Sequence, residues 1–386
     1  MSKKTILFLL DNPYSNDRRV MREAEALNQS GDFTVQVIAT FESNFSKQES
    51  INGVQVDRLF LSDIKDVKNL NAHSKYAEHI ADKYDFDSIH AHDQVMLSIA
   101  VKLKRITGKK VTYDSHELFR CWPLNTKAKG FTMLKSKIVR TILIKREAKN
   151  IKKIDGLITV NESIRNDLNT NFKLDVPSIS IRNVPEIPPV SYKSNILREE
   201  FNIENSTNLL VYIGNNVYPN TINIEQVIDE FSNQPNTVFV IISQLNWAQK
   251  EVEKYVNSIK AKNIFFRDVV PPEKIPMYLS SADVGIVSSW NKKDLSYWYG
   301  LDNKLFEYMM SEVPILATRQ PEYLKIVEEH RIGECINPEL ENFYTAFQRI
   351  IEKKETYKSN ITKTKTILNW ACESKTLIEF YQNHVF

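Results

Sequence analysis

The residues from 296 to 323 form the strongest candidate binding site in the sequence. Asp302 precedes a predicted helix that begins near Asn303, and Lys304 and Glu307 fall three residues apart on one face of that helix. A helix N-terminus offers unpaired backbone N–H groups and a partial positive charge, which together favour phosphate binding. A carboxylate slightly deeper can accept two hydrogen bonds from a ribose diol. The pattern predicts a nucleotide-phosphate site, and the alternative is a Lys304–Glu307 surface ion pair that contributes little stability.

Two clusters of histidine and acid lie at the ends of predicted strands. They are His90-Ala91-His92-Asp93 and Asp114-Ser115-His116-Glu117. Histidine can donate a hydrogen bond to a sugar hydroxyl or a phosphate oxygen, and a neighbouring carboxylate can fix its tautomer. Zinc is disfavoured because no pair has the helical or C-x-x-C spacing of common metal sites. We expect a buried structural role for His90, which alternates with His92 along its strand.

Basic residues are concentrated in two places. Arg18, Arg19 and Arg22 occupy the first turns of a predicted helix, where cations oppose the helix dipole, so we expect them to face a carboxylate or a ligand phosphate. The alternative is a solvated or internally paired arginine cluster. Residues 127–153 hold ten basic residues, one acid and interleaved apolar side chains. This stretch predicts either a helix on an anionic membrane surface or a core helix with a solvated basic face.

The composition is that of a globular protein large enough for two domains. The chain has 386 residues, 42% of them apolar, and no apolar run of membrane-spanning length. Its 51 basic and 48 acidic residues nearly cancel, which argues against a nucleic-acid partner. Three scattered cysteines favour a reducing cytoplasm over a disulfide framework or a zinc site.

Strand and helix patterns alternate along the chain, which predicts parallel sheets with crossover helices. Seven strands are predicted in the first half: 6–10, 33–41, 54–61, 87–91, 109–114, 155–160 and 178–181. Six are predicted in the second half, before a helical tail: 208–214, 237–242, 263–269, 284–289, 313–318 and 333–336. The predicted fold class is therefore α/β, with two Rossmann-like, doubly wound parallel-sheet domains facing across a cleft. Ligands of such sheets bind at the carboxyl ends of the strands.

The stretch DNKLFEYMMSEVPILAT resembles the nucleotide-sugar motif of GT-B-fold glycosyltransferases of the large retaining family four. Further stretches resemble the same family in its order along the chain: NDRRVMREAEAL, DSIHAHD, VTYDSHELF, ITVNESIRNDL, SIRNVPE, VYIGN and VVPPEKIPMYLSSADVGIVSS. The resemblance implies an N-terminal acceptor-side domain at 1–183, a linker at 184–200 and a nucleotide-sugar-binding domain at 201–370. It also implies that a helix at 371–386 packs back on the first domain.

The activity implied by this resemblance is transfer of a sugar from a nucleoside-diphosphate donor, UDP- or GDP-linked, to an acceptor hydroxyl without a metal or other cofactor. Glu307 would hold the ribose, Asn303 and Lys304 would meet the diphosphate or sugar, and His116 would lie near the reacting oxygens. Asp302 would bind sugar hydroxyls or cap the helix. The candidate catalytic residues are His116, Glu117 and Lys304. The candidate donor-binding residues are Glu307, Asn303, Asp302, Gly214, Asn215, Arg182, Arg267 and Val269.

Three features depart from the family pattern, and the first is the loop after the first predicted strand, where DNPYSND replaces a glycine-rich segment. Tyr299 stands where members usually have a second glutamate, and the run from Gly214 to Asn220 lacks the usual arginine and lysine. Another cation must then stabilise the diphosphate, and the candidates are Lys304, Arg182 and the Arg18–Arg19 pair. The alternatives to an active transferase are a non-catalytic GT-B-fold subunit or glycan-binding protein, and a nucleotide-sugar epimerase. The expected acceptor is a bacterial surface glycan or lipid-linked sugar, met in the cytoplasm or at the inner membrane face.

Overall fold

The computed structural model of the protein describes residues 3–15, 17–60, 70–121, 130–217 and 223–386. The chain divides into two compact units. The first contains Met1–Asn183 together with Ala371–Phe386, and the second contains Val184–Trp370. Each unit is built around a β-sheet of its own.

The first unit contains an eight-stranded sheet. Its strands are β1 (Lys4–Leu9), β2 (Phe33–Thr40), β3 (Gln48–Ile51), β4 (Val54–Leu59), β5 (Ser88–His92), β6 (Lys110–Ser115), β7 (Gly156–Thr159) and β8 (Ser178–Ser180). They lie in the order β3-β4-β2-β1-β5-β6-β7-β8, and all neighbours are parallel except β3 with β4. In the register of β5 and β6, His92 lies opposite Asp114.

The second unit contains a six-stranded parallel sheet. Its strands are β9 (Asn208–Ile213), β10 (Thr237–Ile242), β11 (Ile264–Arg267), β12 (Val284–Val287), β13 (Ile315–Thr318) and β14 (Gly333–Ile336). They lie in the order β11-β10-β9-β12-β13-β14. The order reverses direction beside β9, so the carboxyl ends of β9 and β12 form the point where such sheets bind ligands.

Helices connect the strands in both units. They are α1 (Arg18–Gln29), α2 (Leu70–Lys83), α3 (Asp93–Thr107), α4 (Gly130–Asn150), α5 (Glu162–Phe172), α6 (Ile196–Glu200), α7 (Ile224–Phe231), α8 (Trp247–Ser258), α9 (Ile275–Leu279), α10 (Leu295–Trp298), α11 (Asn303–Met310), α12 (Pro321–Tyr323), α13 (Phe343–Glu352), α14 (Lys354–Lys365) and α15 (Trp370–Phe380). The prediction of two parallel-sheet α/β domains is confirmed. No described helix has the length and apolar character needed to cross a lipid bilayer.

Strand β3 was not among the predicted strands. Its sequence, Gln-Glu-Ser-Ile, is polar and four residues long, so it shows no apolar alternation. Asn52 (φ 50°) and Gly53 (φ 83°) form the turn between β3 and β4, and both adopt the left-handed conformation of a tight hairpin. The Asn-Gly pair was the available sequence signal for this edge hairpin.

The segment 184–200, predicted as a linker, lies within the second unit. Val184 is fully buried in the core of that unit, and Ile196–Glu200 forms α6. The carbonyl of Pro185 accepts a hydrogen bond from the backbone N–H of Trp370 at 3.1 Å. The prolines of this segment therefore interrupt regular structure without separating the segment from the core.

The end of the chain belongs to the first unit. Tyr381 is fully buried there, and its hydroxyl lies 2.6 Å from Nδ1 of His90. Glu373 accepts hydrogen bonds from the guanidinium of Arg182 at 2.8 Å and from the backbone N–H of Arg182 at 2.9 Å. The last helix and the residues after it are therefore fixed to β5 and to the segment that follows β8.

The position of α11 depends on one buried tyrosine. The hydroxyl of Tyr308 lies 3.0 Å from the carbonyl of Val211 and 3.2 Å from that of Ile286, and it accepts the N–H of Ile213 at 3.0 Å. The ring covers Gly285, where an added Cβ would lie 2.4 Å from it. Tyr308 thereby ties α11 to both β9 and β12.

Replacing Tyr308 with phenylalanine should lower the free energy of unfolding by about 1–3 kcal/mol, because it leaves buried backbone groups without a partner. Urea denaturation followed by circular dichroism measures the change. The control is Tyr255→Phe, which removes a hydroxyl that donates to Asp229 at the surface at 2.6 Å. Equal stability of the Tyr308 variant and the wild type would contradict the role given to this hydroxyl.

Candidate functional site

The N-terminal end of α11 carries a compact charged group. Nζ of Lys304 lies 3.2 Å from Oδ2 of Asp302 and 5.1 Å from the centre of the Tyr212 ring. The hydroxyl of Tyr323 donates to the same Asp302 oxygen at 2.8 Å. Asp302 is the residue before the helix, but its side chain caps no backbone N–H of α11, so the capping role considered for it is wrong.

The charges of this group are mutually stabilised. Burial disfavours the charged form of Lys304, but the carboxylate of Asp302 outweighs it and raises the lysine pKa. Burial likewise acts to raise the pKa of Asp302, yet Lys304 and the hydroxyl of Tyr323 lower it. Both groups are therefore ionised at neutral pH, and the lysine side chain is 15% exposed. Lys304 thus carries a full positive charge beside a helix N-terminus.

A second element of the same sheet edge is the loop after β9. Gly214 follows the strand directly, and a Cβ at this position would lie 2.8 Å from the hydroxyl oxygen of Tyr212. That hydroxyl donates to the carbonyl of Asn216 at 3.2 Å, and the backbone N–H of Gln244 donates to the carbonyl of Asn215 at 3.1 Å. Residues 214–216 are therefore held in place, whereas Asn220 lies outside the described residues.

The other candidates of the second unit lie at the end of β11, just after it, or on α11. The guanidinium of Arg267 donates to Glu200 at 2.9 Å and to the hydroxyl of Tyr278 at 2.8 Å. Val269, two residues after the end of this strand, is 38% exposed. Asn303 is exposed and Glu307 is half-buried, one turn further along α11. The structure thus brings Asp302, Asn303, Lys304 and Glu307 together on one helix end, and holds the side chain of Arg267 in contacts of its own.

In the first unit, the predicted histidine and acid clusters meet around Asp114, which is completely buried. Its Oδ2 lies 3.1 Å from Nε2 of His116, 3.3 Å from Nδ1 of His92 and 3.8 Å from Nε2 of His90. Arg19 donates to both of its oxygens, at 3.0 and 3.2 Å. Burial alone would raise the pKa of Asp114, but Arg19 and His116 hold it well below the usual value. Asp114 is therefore ionised.

His116 lies between two carboxylates. Besides the contact with Asp114, its Nδ1 lies 3.6 Å from Oδ2 of Asp93, and its backbone N–H donates to Oδ1 of Asp93 at 3.1 Å. Burial disfavours the imidazolium, but Asp93 and Asp114 outweigh it and raise the pKa of His116 to about 10. Glu117, the other catalytic candidate here, is exposed, and its carbonyl accepts from the hydroxyl of Ser115 at 2.8 Å.

Four buried groups of this cluster are close enough to hold a metal ion. The ligand atoms of Glu23, His90, His92 and Asp114 all lie within 4.8 Å of one another. However, the guanidinium of Arg19 already lies 3.0 Å from an oxygen of Glu23 and of Asp114, and burial raises the pKa of Glu23 to about 8, so Asp114 is the ionised partner of Arg19 at neutral pH. We therefore interpret the set as a buried ion-pair network, and the prediction that His90 is buried is confirmed.

Two of the arginines considered as phosphate ligands are bound to carboxylates of the first unit. Arg19 is 5% exposed and also donates to the carbonyl of Ile181 at 2.5 Å. Arg182 is paired with Glu373 at 2.8 Å. Of the open alternatives for Arg19, the structure supports pairing with carboxylates. Among the cations considered, Lys304 is the one at the end of α11.

Sequence reasoning missed several residues of these clusters. Glu23 lies on the apolar face of α1 with Val20, Ala24 and Leu27, and it is completely buried. A carboxylate on a predicted buried face was the available signal, because it requires a cationic partner. Tyr323 and Tyr212 gave no comparable signal, since a buried tyrosine in an apolar segment is an ordinary core residue.

Comparison with known protein families shows which family the chain belongs to. A model described as Glycosyltransferase Family 4 matches residues 17–184, and one described as Glycosyl transferases group 1 matches residues 207–353. Together these regions span most of the described part of both units. The chain belongs to the GT-B-fold glycosyltransferases of the family-four type.

Solved structures share the fold of this glycosyltransferase over nearly its whole length. Sucrose-phosphate synthase from Thermosynechococcus elongatus matches with a TM-score of 0.76 at 15% identity, with 98% of each chain covered. Anabaena HepE, solved with UDP-glucose, matches with a TM-score of 0.68 at 14% identity, and the match covers 98% of this chain and 99% of HepE. The lipopolysaccharide outer core galactosyltransferase WaaB matches with a TM-score of 0.69 at 12% identity, and the coverage of the two chains is again 98% and 99%. No curated protein matches the glycosyltransferase by sequence.

Replacing Arg19 with methionine should destabilise the glycosyltransferase by about 3–5 kcal/mol, because it removes the guanidinium that pairs with the buried carboxylate of Asp114. Arg18→Met is the matched control, since Arg18 is exposed on the same turn of α1, and it should change stability by less than about 0.5 kcal/mol. Chemical denaturation of both variants gives the difference. Similar stability of the two variants would show that the network does not depend on Arg19.

Proposed function

We propose that this glycosyltransferase transfers a sugar, with retention of anomeric configuration, from a UDP- or GDP-linked donor to an acceptor hydroxyl, and that it needs no catalytic metal. The observation that carries the proposal is the charged end of α11, where Nζ of Lys304 lies 5.1 Å from the centre of the Tyr212 ring, whose hydroxyl donates to the loop after β9. Support for a nucleotide sugar comes from the similar protein HepE, whose structure contains UDP-glucose.

The diphosphate of the donor would bind at this helix end. Lys304 is held by Asp302, and a phosphate oxygen can replace that carboxylate as its partner. The backbone of Asn303 would lie beside the phosphates in the first turn, and Glu307 one turn deeper would accept hydrogen bonds from the ribose hydroxyls. Gly214 and Asn215 would line the phosphates with backbone, because no side chain at Gly214 obstructs their approach.

The absence of the family's arginine and lysine after β9 leaves the leaving-group charge to other groups. The helix end and Lys304 would supply the positive charge that a metal provides in other enzymes. Arg267 and Val269 would frame the base with their backbone, as the side chain of Arg267 is engaged with Glu200. The first unit would bind the acceptor, with His116 close to the reacting oxygens and Glu117 beside it.

Donor binding tests this assignment directly. Glu307→Gln and Lys304→Met should each weaken UDP or GDP binding by about 10- to 100-fold, the value of a charged hydrogen bond. The controls are Glu251→Gln and Lys254→Met, which remove the partners of an exposed ion pair on α8 in the same unit. Isothermal titration calorimetry gives the affinities, and unchanged affinity in both site variants would exclude this helix end as the donor site.

The outcome of turnover separates the alternatives. A panel of UDP- and GDP-sugars, with and without mixed glycan acceptors, is assayed for nucleotide release and for sugar conversion. Release that requires an acceptor supports the transferase, and conversion without an acceptor indicates an epimerase. Nucleotide binding without either reaction indicates a non-catalytic subunit, for which the replaced glutamate at Tyr299 would be the first explanation.

We further propose that the enzyme works at the inner face of a bacterial membrane, on a glycan or lipid-linked acceptor. On α4, Leu134 is 55% and Ile138 is 51% exposed, beside the exposed Lys135, Lys137 and Lys145. Exposed apolar and basic side chains on one helix favour an anionic lipid surface. Residues 127–129 of the predicted basic stretch lie outside the described residues. WaaB, a lipopolysaccharide galactosyltransferase, gives the setting a precedent by similarity of fold.

Vesicle flotation tests the membrane proposal. The triple variant Lys135→Gln, Lys137→Gln, Lys145→Gln should bind phosphatidylglycerol vesicles about 100-fold more weakly, because each lysine contributes about 1 kcal/mol near an anionic surface. A triple variant of exposed lysines in the second unit, at Lys250, Lys254 and Lys262, changes the net charge equally and should keep binding. Binding that is absent in the wild type, or insensitive to salt, contradicts the proposal.

A further inference from the structure

We infer that His116 acts as a fixed imidazolium that donates hydrogen bonds and exchanges no proton during the reaction, and that Asp93 and Asp114 are the residues that position it. The statement about the reaction rests on the proposed function. The charge of the histidine and the role of the two carboxylates do not, because they follow from contacts within the first unit.

The first observation is that both ring nitrogens of His116 face carboxylate oxygens. Nε2 lies 3.1 Å from Asp114 and Nδ1 lies 3.6 Å from Asp93. A neutral imidazole carries a proton on one nitrogen and a lone pair on the other. Either neutral tautomer would turn a lone pair towards a carboxylate. The doubly protonated ring presents an N–H to each side and avoids that repulsion.

The second observation concerns the backbone of Asp93. This residue has a φ of 61°, a left-handed conformation that costs a non-glycine residue about 1 kcal/mol or more. In that conformation Oδ1 accepts the backbone N–H of His116 at 3.1 Å while Oδ2 faces its ring. Asp93 therefore fixes both the backbone and the side chain of His116, which identifies it as a positioning residue.

The third observation is the contact between His116 and His92. Nδ1 of His92 lies 3.2 Å from Nε2 of His116 and 3.3 Å from Oδ2 of Asp114. Burial holds the pKa of His92 well below its usual value, so this ring is neutral, and with its proton on Nδ1 it donates to Asp114. The Nε2 atom of His92 is buried with no hydrogen-bond partner. His92 therefore helps to hold the carboxylate of Asp114 and does not compete with His116 for positive charge.

The remaining charges around the ring leave the imidazolium stable. Arg19 and Glu23 of α1 act on it across Asp114, and Asp11, which follows β1, acts on Asp93. Arg19 disfavours the charge on His116, but the two carboxylates outweigh it. The side chain of His116 is 17% exposed, so a substrate can reach part of the ring. Such a ring can stabilise negative charge, but it cannot serve as a general base.

The protonation state is measured on the wild-type protein by long-range ¹H–¹⁵N correlation of ¹⁵N-labelled histidines between pH 6 and 9, with His116→Gln assigning the signals. Both nitrogens of His116 should keep imidazolium shifts throughout. Asp93→Asn should lower the pKa of His116 so that it titrates between pH 6 and 9. Asp82→Asn, which changes an exposed acid on α2, should leave the titration of His116 unchanged. Titration of wild-type His116 near its ordinary value would overturn the inference, and this measurement needs no variant other than the one used for assignment.

The pH profile of UDP-glucose turnover, measured as UDP release, gives the second readout. The wild type should show no limb from His116 between pH 6 and 8.5. Asp93→Asn should add a limb that falls about tenfold per pH unit above the lowered titration point. His116→Arg, which keeps the charge, should retain more turnover than His116→Gln. A wild-type limb that disappears in both His116 variants would show that His116 transfers a proton. If His116 is an imidazolium by NMR but the protein binds no nucleotide, the inference about the charge of His116 holds and the proposed function is rejected.

Discussion

The first unit is organised by the need to balance one buried negative charge. Asp114 is completely buried at the end of a central strand, and an unpaired carboxylate in that position would be strongly destabilising. Helix α1 supplies Arg19, β5 supplies His92 and the loop after β6 supplies His116. The end of the chain joins the network through Tyr381, whose hydroxyl contacts His90. Segments far apart in sequence are thus tied to one carboxylate.

The second unit uses the same principle at a partly exposed site. Asp302 and Lys304 neutralise each other at the end of α11, and Tyr323 fixes the carboxylate from α12. The pair keeps a lysine charged and oriented at a helix N-terminus without burying an unbalanced charge. Tyr308 fixes the helix itself against β9 and β12. If this helix end is the donor site that we propose, it would need little rearrangement when a phosphate replaces the internal carboxylate.

The sequence predicted the strands of both sheets, apart from β3, because buried parallel strands are short apolar runs with little ambiguity. It also predicted that Asp302, Asn303, Lys304 and Glu307 share one helix end, since that follows from helical periodicity alone. It did not predict the contacts of Arg19 with Glu23 and Asp114. Local periodicity places Glu23 on the buried face of α1, but the identity of its partner depends on which strand lies beneath that face.

The sequence by itself determined the α/β alternation, the helix-end group on α11 and the family resemblance, because each is encoded in residues close together along the chain. Only the tertiary structure decided how the charges pair: Arg19 with buried carboxylates, Arg182 with Glu373, and His116 between Asp93 and Asp114. It also decided that residues 184–200 are packed into the second unit. The reason is that electrostatic and packing partners are set by distance in space, and residues such as Arg182 and Glu373 meet only after the sheets have formed.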